Sequence, residues 1–299
     1  MVTGTAKDGC HLSMSSPQSE IAHYLRTGEH DILFKAWPGN HVLDCCQRGT
    51  VDLRRALVRE VRVRTKRMAM AVPKTLAELD CEGFARKKVA PMVRGLFPIV
   101  EQQVLLETLA RSLVFLTPDT IEAVLNKEDP GTAWDLANMY LLSCGAKLLA
   151  DDAPRAVGMS VGTTCFVSMD YFRANHRFAD FVVHEAAHIF HNCKRRTLGL
   201  PETRRREWLL EIDFKKRETF AYACEACSRI LELADGPQAR RKLYQELESG
   251  PELGNALACA QDYLEAVRAA IAARNGWKRI LHACAPPWAW RTRSLDQPA

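Results

Sequence analysis

Phe181-Val182-Val183-His184-Glu185-Ala186-Ala187-His188-Ile189-Phe190 is an apolar run broken only by two histidines and a glutamate. Both variable positions of its His-Glu-x-x-His core are alanine, and no proline interrupts Ala179 to Asn192, so the run predicts a helix, with Asn175 as its N-cap. Successive helical residues rotate by roughly 100°, which stacks positions i and i+4 on one face. His184 and His188 then point imidazole nitrogens at one metal ion, and Glu185 beside them reaches a metal-activated water without being a ligand. The flanking Phe181, Val182, Ile189 and Phe190 make the helix a buried, central one. Burying two imidazoles and a carboxylate there is costly unless something satisfies them.

A third protein ligand leaves a fourth position open for water and substrate. His191 shares the face of His184 but lies about 10.5 Å along the axis from it, too far to share one ion. It reads as a helix-end or pocket-rim residue. The three-histidine metzincin pattern is excluded, because His191 stands where its glycine belongs and Lys194 where its last histidine belongs. Glu207 falls in Arg204–Phe214, where Trp208, Leu210, Ile212 and Phe214 alternate. That segment predicts a strand with Glu207, Glu211 and Asp213 on a wet face. Glu218 opens the helical run Glu218–Cys227, with Ala221, Tyr222 and Glu225 on its face, and small Ala221 permits a close approach to the histidine helix. Glu218 is the expected ligand; Glu225, Glu211 and Glu207 remain alternatives.

His-Glu-x-x-His on one helix followed by Glu218-Thr219-Phe220-Ala221 opening a second resembles the gluzincin metallopeptidases, especially the ImmA/IrrE-like and membrane-embedded CAAX-protease-like groups. The resemblance covers roughly Thr163 to Leu233. Where those families carry Asp or Asn, this chain has Tyr222. The resemblance implies a zincin-like α+β fold, mostly helical around a small mixed sheet. It implies Zn2+ held by His184, His188 and Glu218, and hydrolysis of peptide bonds in a protein or peptide substrate. Glu185 takes the proton of the activated water and passes it to the leaving amine. Tyr222, His191 and Glu225 are candidates for stabilising the transition state or supporting the ligands, with His176 and Tyr171 as further oxyanion donors. Thr163–Tyr171, rich in β-formers, is by the same resemblance the substrate-facing edge strand; an internal strand is the alternative.

The chain has 299 residues, 47% of them hydrophobic, enough for one large domain or two small ones. It contains no apolar stretch long enough to span a membrane, and Met1–Asp8 lacks the apolar core of a secretory leader. The 11 cysteines then suggest reduced thiols and a cytoplasmic setting. Cys224-Glu225-Ala226-Cys227 is a CxxC without a partner pair and reads as packing, like Cys45-Cys46. The net charge of +5 is modest, but basic residues bunch at Arg54–Arg67 and Lys194–Arg206. These read as solvated faces, with a nucleic-acid-associated regulatory module as the alternative to an enzyme. Trp277, Trp288 and Trp290 predict a packed tail.

Two parts are expected: residues 1–72, a mixed segment disordered up to Pro17, and residues 73–299, the metallopeptidase domain with C-terminal helices. Within the second part, Leu96–Leu116, a segment opening at Thr117-Pro118, and Gly131–Cys144 read as helices. Gly236-Pro237 ends the Glu218 helix, and two more helices end near Gly250-Pro251 and Gly276.

Overall fold

The computed structural model describes residues 16–68, 72–173, 176–204, 206–250 and 260–288. Along them run α1 (Pro17–Thr27), α2 (Val42–Thr65), α3 (Lys74–Ala77), α4 (Cys81–Leu96), α5 (Ile99–Ala110), β1 (Leu113–Leu116), α6 (Ile121–Lys127), α7 (Pro130–Ser143), β2 (Gly158–Val161) and β3 (Thr164–Ser168). Then come α8 (Phe181–Asn192), α9 (Arg217–Leu233), α10 (Pro237–Glu248), α11 (Ala260–Ala272) and α12 (Gly276–Cys284). The class is α+β, mostly helical with one small mixed sheet. Among the described residues no helix is long and apolar enough to cross a membrane.

The chain divides into two compact units, one of residues 1–70 and 118–155, the other of residues 71–117 and 156–299. In the first, Leu53 and Leu57 of α2 are fully buried, as are Leu125 of α6 and Leu136, Ala137 and Leu141 of α7. The apolar stripe of α2 is covered by α6 and α7, which is why 118–155 packs with the N-terminal helices although the sequence boundary near residue 72 separates them. The described part of the segment expected to be mixed is two helices, α1 and α2, joined by turns over 28–41. α1 starts at a capping box in which Ser16 and Ser19 satisfy each other's backbone N–H groups, and Tyr24 on it donates its hydroxyl to the Pro130 carbonyl at 2.6 Å. The part of the expected disordered segment before Ser16 lies outside the described residues. The basic run along α2 fastens this unit. Arg54 donates to the Lys127 and Glu128 carbonyls at the end of α6, Arg62 pairs with Glu122, and Arg64 pairs with Glu60.

The second unit holds the sheet, in order β1-β3-β2, with β1 parallel and β2 antiparallel to β3. Gly162, at φ 55°, is the first residue of the two-residue hairpin loop from β2 to β3, where a positive φ matches the strand twist. β3 is therefore the internal strand, bonded on both sides, and not the edge strand that the resemblance implied. Among the described strands β2 presents the open edge on that side. The expected helix over Leu96–Leu116 is α5 followed by β1: Pro98 stops α4 at Leu96, and the chain turns at Arg111-Ser112 into the β-formers Val114 and Phe115.

The expected strand over Glu207–Phe214 is irregular, apart from single bridges such as Lys194 with Trp208. Its neighbouring residues Leu209 and Leu210 are both buried, which alternation forbids. Their N–H groups bond to the Cys193 and Phe190 carbonyls at 3.0 and 2.8 Å, so the segment satisfies the end of α8 instead of a sheet. Three boundaries also shift. Thr117-Pro118 precedes α6, which starts at Ile121. Pro237 and Gly276 open helices α10 and α12. Trp277 is buried on α12, Trp288 is about half exposed, and Trp290 lies outside the described residues.

Candidate metal centre

The centre is built on α8, whose residues from Val182 to His191 are all buried. Its N-cap is Asp180, whose side chain accepts from the Val183 N–H; the expected cap, Asn175, lies outside the described residues. Asp180 is fully buried, and Lys88 of α4 meets its carboxylate at 2.8 Å while also reaching Glu232 of α9 at 2.9 Å. Negative charge at a helix start is favoured by the helix dipole, and the lysine compensates its burial.

His184 and His188 face each other one turn apart, with their Nε2 atoms 3.0 Å apart. α9 packs along α8, with Ala221 buried one turn on from Glu218, and brings in Glu218. The Glu218 Oε2 lies 3.6 Å from His188 Nε2 and 3.9 Å from His184 Nε2. The three ligand atoms lie within 4.8 Å of one another. Around a tetrahedral zinc with bonds near 2.0–2.1 Å, ligand atoms sit about 3.3 Å apart, and the three separations straddle that value. Glu218 is the exposed member, its side chain 64% accessible, so the triad is open to solvent on one side. The nearby His188 holds its carboxyl below the ordinary range.

The partners on the far side of each ring decide which nitrogens carry protons. His184 Nδ1 lies 3.0 Å from Glu225 Oε2, an acceptor, so Nδ1 is the donor. The other Glu225 oxygen takes the Asp180 N–H at 2.6 Å, tying this carboxylate to the start of α8. His188 Nδ1 lies 2.9 Å from His191 Nε2, and His191 Nδ1 lies 3.1 Å from Asn192 Oδ1. Burial, together with the neighbouring His188 and Arg217, pulls His191 down to about 3, so at neutral pH it is uncharged. It donates from Nδ1 to Asn192 and accepts at Nε2 from His188. Both remaining Nε2 lone pairs then point at each other across 3.0 Å, with a carboxylate oxygen beside them. Three acceptors in that arrangement repel unless a proton or a metal cation sits among them, and the donor set of two imidazoles and a carboxylate suits zinc.

Glu185 is buried on the β2 side. Ser160 of β2 donates to it, and a Cβ on Gly158 would stand 2.7 Å from its Oε1, so β2 approaches this closely only because residue 158 is glycine. Burial raises its pKa against the opposing pull of His184 and His188. The pKa of His184 is raised as well: burial lowers it, but Glu225, Glu185 and Glu218 outweigh that. Tyr222 lays its ring edge-on to His184 with centroids 4.5 Å apart.

The structure thus gathers His184, Glu185, His188 and Glu218 with Tyr222, His191 and Glu225 around them. His191 is a buried partner of His188, not a residue of the pocket rim. Among the other expected candidates, Glu207 pairs with Lys194 at 2.6 Å and Tyr171 donates to Asp180 at 3.4 Å. Glu211 and His176 lie outside the triad, and the thiols of Cys224 and Cys227 are buried within α9. The triad is the one such cluster among the described residues. Reading the sequence missed Asp180, Lys88, Ser160 and Gly158. Only Asp180 left a trace, an Asp just before an apolar helical run. No family model matches the chain, and the curated proteins and solved structures give no match either.

Proposed function

We propose that this chain is a zinc-dependent metallopeptidase of gluzincin type, with His184, His188 and Glu218 as metal ligands and Glu185 as the proton carrier. The observation that carries the reading is the pair of imidazole Nε2 atoms facing each other at 3.0 Å, with the Glu218 carboxylate beside them and Glu225 and His191 behind the two rings. A bound zinc would supply a Lewis acid that polarises a carbonyl and lowers the pKa of a water molecule.

The chain's own residues do the rest. Glu225 and His191 hold the two imidazoles in the tautomer that presents Nε2. Glu185 takes a proton on a carboxylate oxygen and returns it to the departing nitrogen. Its burial-raised pKa favours both halves of that transfer, because a group whose pKa lies nearer neutrality gives up a proton as readily as it takes one. Ser160 and the close β2 backbone hold that carboxylate in place. The open edge of β2, lying along Glu185, offers backbone donors and acceptors to an extended peptide.

The test combines metal analysis with cleavage of a peptide library. Stoichiometric zinc in the wild type, lost in His184→Ala and His188→Ala and weakened in Glu218→Ala, supports the centre. Cleavage abolished in Glu185→Gln with zinc retained supports the proton carrier, whereas cleavage surviving that change rejects it. Zinc without cleavage of any peptide favours a metal-held binding module, and absence of zinc rejects the centre.

A further inference from the structure

The basic run at Arg54–Arg67 reads in sequence as a single face, but the helical period divides it. Leu53, Leu57 and Val61 mark the buried side of α2, and Arg54 and Arg64 turn back into the unit to donate to the Glu128 and Lys147 carbonyls. Arg48, Arg55, Arg59, Arg62 and Lys66 are all exposed. At roughly 100° per residue these five fall within about 60° of one another, opposite the buried stripe. Arg48, Arg55, Arg59 and Lys66, at i, i+7, i+11 and i+18, form a line about 27 Å long at a rise of about 1.5 Å per residue. Lys66 keeps helical backbone at the C-cap, so the line runs to the end of α2.

Little of this charge is answered within the chain. Among the described residues Arg48, Arg59 and Lys66 meet no carboxylate. Arg55 pairs with Asp52 at 3.2 Å and Arg62 with Glu122, both at the surface, where such pairs hold weakly. Asp52 also accepts the Trp37 indole N–H at 3.0 Å, and Asp44, the other acid near this side, is held by the Asn40 N–H and His41. Aligned like charges repel, so a polyanion laid along them is the natural counterpart.

What the face lacks narrows the occupant. α2 contains no aromatic residue, so single-stranded bases find no platform to stack on. Its apolar side, the part an interfacial helix sinks into a membrane, is covered by α6 and α7. Protein partners are gripped by central apolar or aromatic anchors, whereas the exposed apolar residues here are Val51 and Val63 at the flanks of the line. A row of guanidinium forks remains, and each fork matches a pair of phosphate oxygens. Duplex DNA carries one negative charge per about 1.7 Å of axis, more than enough for four cations in this span. Its major groove, about 12 Å wide, admits an α-helix, and that of duplex RNA does not.

We propose that the outer face of α2 is a sequence-independent docking surface for the phosphate backbone of duplex DNA, contacted by Arg48, Arg55, Arg59 and Lys66. The test is fluorescence anisotropy of the full chain with a labelled duplex of arbitrary sequence over a salt series. Four phosphate contacts predict a slope of log affinity against log salt of about −3.6. The triple change Arg48→Gln, Arg59→Gln and Lys66→Gln should weaken binding at low salt about tenfold or more and bring the slope to about −1, with the urea midpoint unchanged. The paired change Arg241→Gln and Lys242→Gln on α10 should bind like the wild type. Unlabelled duplex DNA should compete better than single-stranded DNA, duplex RNA, polyglutamate or vesicles of anionic lipid. Absence of binding at low salt, a triple variant that binds like the wild type, equal weakening by the α10 pair, or better competition by any of the other four polyanions overturns the inference.

Discussion

At the scale of single residues, the centre depends on which imidazole nitrogen carries a proton. Glu225 and His191 each offer an acceptor to an Nδ1–H, and both would still do so as glutamine. Glu225→Leu and His191→Leu are therefore expected to weaken zinc binding by about 10–100-fold, while Glu225→Gln and His191→Gln keep most of the affinity, measured by competition with a chelating dye. Gly158→Ala tests the other side. Its Cβ would stand 2.7 Å from the Glu185 carboxylate, so Glu185 must move. The expected result is full zinc content with peptide cleavage at least about tenfold slower, since small misplacements of a catalytic group are costly. The proximity of His184 and His188 was legible because two histidines a turn apart on an apolar run carry their own geometry, and that of Glu218 because it lies in the first turn of the next helix. Ser160 and Gly158 were not, because their importance comes from the approach of β2, which no local pattern encodes.

At the scale of elements, α8 is held at both ends by groups distant in sequence. Asp180 caps its start and meets Lys88, while Leu209 and Leu210 donate to carbonyls at its end. Asp180→Ala removes the cap and one partner of a nearly buried lysine that keeps Glu232. A loss of about 2–4 kcal/mol is expected, read from the urea midpoint. The same non-local fastening explains where elements were misread. Arg204–Phe214 alternates like a strand, but its backbone is used by the α8 terminus. Leu96–Leu116 is apolar throughout, and periodicity alone does not separate a helix from a short buried strand in such a run. β3 was visible as a strand, but its neighbours β1 and β2 are each four residues long, too short for sequence to show that they enclose it.

At the scale of the whole molecule, metal and protons both couple to stability. If the centre holds zinc, excess chelator should lower the urea midpoint of the wild type and leave His188→Ala unchanged, because a ligand bound only to the folded state stabilises it. Alkaline pH acts through the buried thiols. Burial pushes Cys227 and Cys284 from 9.0 up to about 12. Above pH 9 the unfolded thiols release protons that the folded ones keep, so their contribution is complete below 9 and is lost as pH rises towards 12. Each thiol then costs about 1.4 kcal/mol per pH unit in that window. Urea midpoints should fall steadily above pH 9, and less steeply in Cys227→Ala.

The division into units was the least legible feature, because Val72-Pro73 looks like a boundary and nothing in 118–155 announces which helices it belongs with. Its interleaved order constrains how the chain is made. The stripe on α2 leaves the ribosome roughly 80 residues before the end of α7, a wait of about 4–16 s at ordinary synthesis rates. During that interval the nascent α2 carries uncovered leucines, which makes it a natural station for a holding chaperone. A fragment cut at residue 72 would carry the same exposed stripe permanently.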